Sequence, residues 1–209
     1  DMSPGYSLES LQGRSLAGNV LHHLDRCLSC RSCEASCPEG VRYGRLLDVG
    51  RELAERLAPR PIGQRIARRT VRALVPHRRR FTALLRTGQA LRSLLPRNLR
   101  VRIPRRRVAG PWPGNTHSRK MLIWQGCVQP GLAPDINAAA ARVLDRFGIE
   151  LIPSPDACCG AISLHMAASD EALTHMRNAI DALWPHIEAG AESIVFTASG
   201  CGMHFRDYG

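Results

Sequence analysis

The run Cys27-Leu28-Ser29-Cys30-Arg31-Ser32-Cys33-Glu34-Ala35-Ser36-Cys37-Pro38 constrains this chain more than any other stretch. It spaces four thiols as C-x2-C-x2-C-x3-C and closes on a proline. Each iron corner of a cubane [4Fe–4S] cluster takes one thiolate, and such a run supplies them from one loop. Cys27, Cys30, Cys33 and Cys37 are therefore candidate cluster ligands. A zinc knuckle and a disulfide framework are the other readings, but zinc sites usually pair two separated C-x-x-C elements. Where two clusters occur together, the fourth cysteine of such a run ligates the other cluster. No second run exists here, so Cys37 is open to serve a cluster whose other ligands lie outside this chain.

The 209 residues suffice for one or two domains with a core. No apolar run approaches the roughly 18 residues of a transmembrane helix, and Asp1 to Gly13 has neither the basic nor the apolar region of a signal peptide. The expected compartment is a reducing cytosol, where clustered cysteines mean metal or redox chemistry rather than disulfides. Both ends of the sequence read as cut, which suggests a fragment.

Charge is unevenly placed. The net charge is +11, yet Arg60 to Lys120 holds 18 basic residues and no acid, leaving 11 basic against 18 acidic residues elsewhere. Arg-rich amphipathic helices suit an anionic membrane surface, nucleic acid or an acidic partner; a solvated helix face is the plain alternative. With Phe81 the one aromatic in its two helices, residues 60–107 offer no base-stacking platform, so no nucleic-acid partner is expected.

Apolar periodicity predicts a helix over 15–25 leading into Cys27, and a second from Tyr43 ending near Pro59. In the basic segment, Ile62, Ile66, Val71, Leu74 and Val75 form one apolar stripe; Phe81, Leu84, Leu85, Leu91, Leu94 and Leu95 form another. Arg97 to Val108 reads as extended, and the prolines and glycines of 104–114 as a linker. From Arg119 the pattern becomes strand–helix alternation: strands at 121–124, 150–152 and 193–196, and helices at 134–147 and 169–189. Ile136, Ala140, Val143, Leu144 and Phe147 are the expected inner face of the former helix. This βαβαβ order implies a parallel sheet. The expected fold class is α/β, divided into an α-helical cluster module (1–59), an Arg-rich helical linker (60–118) and an α/β cysteine-rich domain (119–209).

The other four cysteines each follow a predicted strand: Cys127 the first, Cys158 and Cys159 the second, Cys201 the third. Open parallel sheets place ligand sites at the carboxyl ends of their strands, so these four should converge as a second metal or cluster site. Cys158 and Cys159 must then lie on a loop, since neighbours on a strand point to opposite faces. Four thiolates suit a cubane cluster and also zinc. A catalytic thiol is the rival reading, but no Cys–His spacing marks one. His165 and His204 are nearby in sequence; His204 is expected close to the site but not ligating.

Cys158-Cys159-Gly160, with Cys127 upstream and Cys201 downstream, resembles the cysteine-rich CCG domain of heterodisulfide reductase, lactate-utilisation and anaerobic glycerol-3-phosphate dehydrogenase subunits. A ferredoxin-type run joined to it by an Arg-rich helical linker is most similar to glycolate oxidase iron–sulfur subunits. His23-Leu24-Asp25-Arg26-Cys27-Leu28, Gly126-Cys127-Val128-Gln129-Pro130 and Thr197-Ala198-Ser199-Gly200-Cys201-Gly202 carry that resemblance. It implies an oxidoreductase subunit that passes electrons from flavoprotein subunits oxidising glycolate towards a quinone acceptor. It also implies a [4Fe–4S] cluster, room for a second cluster at the CCG site, and a cytoplasmic place compatible with peripheral attachment to the inner face of the membrane. Cys201-Gly202-Met203-His204 departs from the C-x-x-C ending of many CCG domains, so a fifth thiolate is missing. No Gly-rich dinucleotide fingerprint follows a predicted strand, which puts hydride chemistry on a partner. A thiol–disulfide enzyme acting through Cys158 and Cys159, and a metal-stapled nucleic-acid-binding regulator, are the readings from other classes.

Overall fold

Leu122, Ile123 and Trp124 expose almost no surface, at 0, 0 and 1 %, and the second half of the chain wraps round them. A central parallel strand is covered on both faces, so consecutive apolar residues suit it where alternation would not. In the computed structural model, which describes residues 14–58 and 60–208, that strand is β1 (Arg119–Ile123). It lies between β2 (Ile149–Pro153) and β3 (Ile194–Val195) in the order β2-β1-β3. Both pairings are parallel, with Leu122 opposite Ile152 on one side and Ile194 on the other.

Successive side chains of β1 point to opposite faces, and each face has its own core. Leu122 and Trp124 pack with Cys159, Ala179 and Leu183, the last two on α10 (Ser169–Glu188). Ile123 packs with Leu151 and with Ala141 of α8 (Pro134–Asp145). The α/β class is as the sequence implies, and the two long helices lie close to 134–147 and 169–189. The inner face of α8 is the expected one in part: Ala140 and Leu144 pack against the Ile123 core. Asn137, Ala138 and Ala141 are buried, while Ile136, Val143 and Phe147 are 43, 54 and 73 % exposed. Small residues let the helix backbone approach the sheet closely, and this outweighs the hydrophobicity of the bulkier stripe.

Ahead of the sheet, α1 (Arg14–Arg26) packs on α3 (Tyr43–Leu57), with the four-residue α2 (Ser32–Ala35) in the cysteine run between them. Leu21 and Ala54 are buried at that contact, and Gly50 lets Leu24 approach α3. Residues 1–13 and Pro59, where α3 was expected to end, lie outside the described residues.

The basic segment forms α4 (Ile62–Leu74) and α5 (Arg78–Ala90), then a 3-10 turn and the one-turn α6 (Arg97–Arg100), where an extended run was expected. The stripe of α4 is open at its start: Ile62 and Ile66 are 74 and 60 % exposed. The inward face of α4 carries Arg68 and Arg72 instead, paired with Asp25 and Glu55 and with Glu171 respectively. On α5, Phe81 and Leu85 close on Gly131 in α7 (Gln129–Leu132).

Truncating Leu122 removes a fully buried side chain that the helices on either side cannot collapse onto. Leu122→Ala should cost about 2–5 kcal/mol in urea denaturation, whereas Val143→Ala should stay within about 0.5 kcal/mol.

Candidate cysteine centres

The first centre is the loop from α1 into α2. Ser29 and Arg31 adopt left-handed backbone, with φ of 52° and 57°. Such turns make concave backbone nests of the kind found at many anion and iron–sulfur sites. Cys27, Cys30 and Cys33 are exposed and Cys37 is partly buried. Cys27 and Cys33 line a cavity of about 330 Å³ walled by Leu24, Tyr43, Leu46 and Leu47. Two of these thiols, Cys30 and Cys37, are shifted towards the thiolate. Backbone groups at Val41 and Glu39, with the Tyr43 hydroxyl, lower the Cys37 pKa, and Ser32, 3.5 Å from the sulfur, lowers that of Cys30.

Arg51 fixes this loop in place. The side chain is 4 % exposed, and its guanidinium donates to Leu24 O at 2.9 Å, to Cys27 O at 3.0 Å and to Ser29 Oγ at 3.1 Å. The same group reaches His165 Nδ1 at 3.2 Å, at the end of α9 (Ala161–His165) in the cysteine-rich domain. It thus bonds the cysteine loop of one module to the helix that begins just after Cys158-Cys159-Gly160. Ser169 Oγ to Glu52 at 3.3 Å and an Arg31–Asp207 ion pair strengthen the same junction.

The second centre lies at the carboxyl edge of the sheet. Cys127 follows β1, Cys158 and Cys159 sit on the loop after β2, and Cys201 is in the first turn of α11 (Ser199–Phe205) after β3. Cys159 Sγ lies 3.4 Å from Cys201 Sγ, and Cys127, Cys158 and Cys159 are near enough to perturb one another's ionisation. Cys127, Cys158 and Cys159 are buried. Among the described residues, no three Cys, His, Asp or Glu side chains stand in ready metal-ligand geometry. Gly160 makes the tight packing possible. Its φ is +87°, and a Cβ there would meet Ala172 O at 2.8 Å. The indole N–H of Trp124 lies beside Cys201 without a well-formed bond, a buried donor available to a sulfur-rich group.

Three thiols of this centre, Cys158, Cys159 and Cys201, are shifted towards the protonated form. Contact with Cys127, followed by burial, pushes the Cys158 thiol up to about 12. Cys159 is pushed up to about 11 by its bond with Cys158, again with burial. Cys201 is raised further by Cys159 and burial. Metal or cluster binding must displace these protons, so it is linked to pH. His204 is 5 % exposed, its pKa brought down to about 4 chiefly by burial, so it stands neutral near Cys159. Tyr208 donates to Cys159 O at 2.6 Å.

Of the eight candidate cysteines, Cys27, Cys30 and Cys33 are exposed, Cys37 and Cys201 are intermediate, and Cys127, Cys158 and Cys159 are buried. Sequence reasoning missed Arg51, Tyr208 and Trp124 as site residues. Arg51 carried a signal: it interrupts the Leu47–Ala54 apolar stripe of α3, where a lone cation is costly unless paired.

A helical module presenting a cluster-type cysteine run, joined to a small α/β domain with four cysteines at one sheet edge, defines a two-centre cysteine protein. Residues 121–206 match the family described as CCG, cysteine-rich domain. The chain is similar, at 48 % identity over 201 residues, to the glycolate oxidase iron–sulfur subunit of Escherichia coli (strain K12), covering 95 % of this chain and 49 % of that one. It is 26 % identical over 219 residues to the probable glycolate oxidase iron–sulfur subunit of Bacillus subtilis (strain 168), covering 91 % of this chain and 48 % of the relative. The chain spans about half the length of these curated relatives. No solved structure matches it significantly.

Two outcomes follow from the site. Unfolded thiols ionise near pH 9, whereas folded Cys158 and Cys159 hold their protons to about 12 and 11. Their contribution to stability is therefore whole below pH 9 and lost as pH rises towards 11–12. The melting temperature of metal-free chain should fall over that window, each unit costing up to about 1.4 kcal/mol per thiol; a flat profile would contradict the buried quartet. Arg51→Met strands several buried acceptors and should cost about 3 kcal/mol in chemical denaturation. Arg51→Lys should recover only part, since an ammonium cannot reproduce the fork.

Proposed function

We propose that this chain is the iron–sulfur, electron-transferring part of a glycolate-oxidising oxidoreductase complex. The observation that carries the reading is the bonded junction of two four-cysteine centres, Cys27 O to Arg51 to His165, in a chain 48 % identical to a glycolate oxidase iron–sulfur subunit. Cys27, Cys30, Cys33 and Cys37 would hold a [4Fe–4S] cluster at the exposed loop. Cys127, Cys158, Cys159 and Cys201 would hold a second cluster at the buried edge, with zinc the other metal that four thiolates suit. Such clusters supply one-electron transfer at potentials set by local charge, hydrogen bonds and solvent access.

The chain's own residues supply those controls. The Arg51 cation and the loop's backbone N–H groups favour the more negative state at the exposed centre. Trp124 Nε1 and the Tyr208 hydroxyl offer or anchor hydrogen bonds at the buried one. Electrons would enter from flavoprotein subunits and leave towards a quinone acceptor. No helix among the described residues is long and apolar enough to cross a membrane, and we place the chain in the cytoplasm, within reach of the membrane's inner face. A thiol–disulfide mechanism at Cys158 and Cys159 is disfavoured, because the thiolate is the nucleophile and these thiols are held protonated.

Anaerobically purified protein should contain acid-labile sulfide and about four irons per centre. Cys30→Ser should remove the iron of the exposed centre and Cys159→Ser that of the buried one, each leaving the other's spectrum. Stoichiometric zinc without iron would overturn the reading.

A further inference from the structure

Trp124 is 1 % exposed, and among the described residues its indole Nε1 has no hydrogen-bond partner. An indole nitrogen can only donate, so no second tautomer relieves it. Buried donors are normally paired, and this one is held too firmly to turn towards a partner elsewhere. The Trp124 backbone N–H donates to Val195 O at 2.9 Å. Its ring packs with Leu122, Cys159, Ala179 and Leu183, and the rings of Phe205 and Phe196 lie beside it, with centroids 4.8 and 6.3 Å away.

Gly126 shows what the N–H borders. Its φ is +65°, and a Cβ there would lie 3.3 Å from Trp124 Nε1 and 3.8 Å from Cys201 Sγ. One small space, in the turn that carries Cys127, therefore borders both the orphaned donor and a candidate ligand sulfur. A side chain at position 126 would fill it, and glycine keeps it open.

The sulfurs differ in how they are served. Cys158 Sγ accepts the Gly160 N–H at 3.5 Å. Among the described residues, the hydrogen bond that Cys201 Sγ accepts comes from the Cys159 thiol at 3.4 Å. Metal binding takes the protons from both thiols, so this S–H···S bond is lost as the Cys201 sulfur becomes a charged thiolate and a stronger acceptor. The bound state thus creates a demand for a donor at Cys201, beside a donor that has no other use.

We propose that the Trp124 indole N–H bonds the Cys201 thiolate when a cluster is held at the buried centre, and thereby raises the reduction potential of that centre. The inference rests on the cluster reading of Cys127, Cys158, Cys159 and Cys201. Reduction adds one electron, and so one negative charge, to the centre and its thiolates. A donor already oriented in a dry surrounding favours the more negative state, and hydrogen bonds to cluster sulfurs are among the controls of potential.

Redox titration followed by electron paramagnetic resonance tests it on the anaerobically purified full chain, with dithionite as the reductant. Trp124→Phe should keep the iron and sulfide of the buried centre but make its reduction about 10-fold less favourable, a fall of about 59 mV for one electron. The potential of the exposed centre should not move. Phe205→Leu, which disturbs the same aromatic packing and keeps the N–H, should leave the buried potential near that of the unaltered chain. Pulsed measurements on reduced chain carrying indole-15N tryptophan should show a 15N coupling at the buried centre that disappears in Trp124→Phe; this readout on the unaltered chain holds even where the variant fails to fold. Absence of iron and sulfide from the buried centre of the unaltered chain would overturn the cluster reading and this inference with it. With iron and sulfide present, the inference alone falls if the 15N coupling is missing, if Trp124→Phe leaves the potential unchanged, or if Phe205→Leu shifts it as far.

Discussion

The buried guanidinium of Arg51 is the interaction on which the arrangement of the two modules depends. An unpaired cation in that position would cost several kcal/mol, so the surroundings must supply acceptors on every side. They come from two parts of the chain: Leu24 O, Cys27 O and Ser29 Oγ from the cysteine loop, and His165 Nδ1 from the domain more than a hundred residues later. A single residue therefore makes the geometry of the exposed cysteines conditional on the docking of the buried ones.

The two centres present cysteines in opposite chemical states, and the fold explains why. The exposed loop surrounds its sulfurs with hydroxyls and backbone N–H groups, and both resolved shifts there are downward. The sheet edge surrounds its sulfurs with one another and with Leu122, Trp124, Ala179 and Leu183, and every resolved shift is upward. Thiolates are what metals bind, so Cys30 and Cys37 would give up a proton to a metal more readily than Cys158, Cys159 and Cys201. Filling the second centre is thus coupled more tightly to the folding of its domain.

Much of this was legible in the sequence, because spacing and strand order are local or topological facts. The C-x2-C-x2-C-x3-C run needs no tertiary information. Convergence of Cys127, Cys158, Cys159 and Cys201 follows once three parallel strands are recognised, since loops at one edge of a sheet share a neighbourhood. What could not be read was anything decided by which face packs more closely. Hydrophobicity favoured Ile136, Val143 and Phe147 beside Ala140 and Leu144 as the inner face of α8; the last two do pack inward, but Ala138 and Ala141 take the closest places because a small side chain shortens the helix–sheet distance. The partner of Arg51 was equally hidden, since 114 positions separate it from His165.

The basic segment shows the same limit and resolves the charge imbalance. Its 18 basic residues face a remainder carrying 18 acids, and the chain answers by folding the segment back. Arg60 bridges Asp25 and Glu55 at 2.6 and 2.5 Å, Arg68 joins the same two acids, Arg72 pairs with Glu171, Arg78 with Asp156 and Arg107 with Asp135. Isolated exposed pairs contribute little. The Arg60 side chain, however, is only 6 % exposed, and its network ties α1, α3 and the start of α4 in one partly desolvated cluster. These arginines, and not the apolar stripe of α4, take the inward positions, because acids already half-buried on both modules are stabilised more by a guanidinium than by a methyl group. Charge complementarity, rather than burial of Ile62 and Ile66, is what fixes the orientation of that helix.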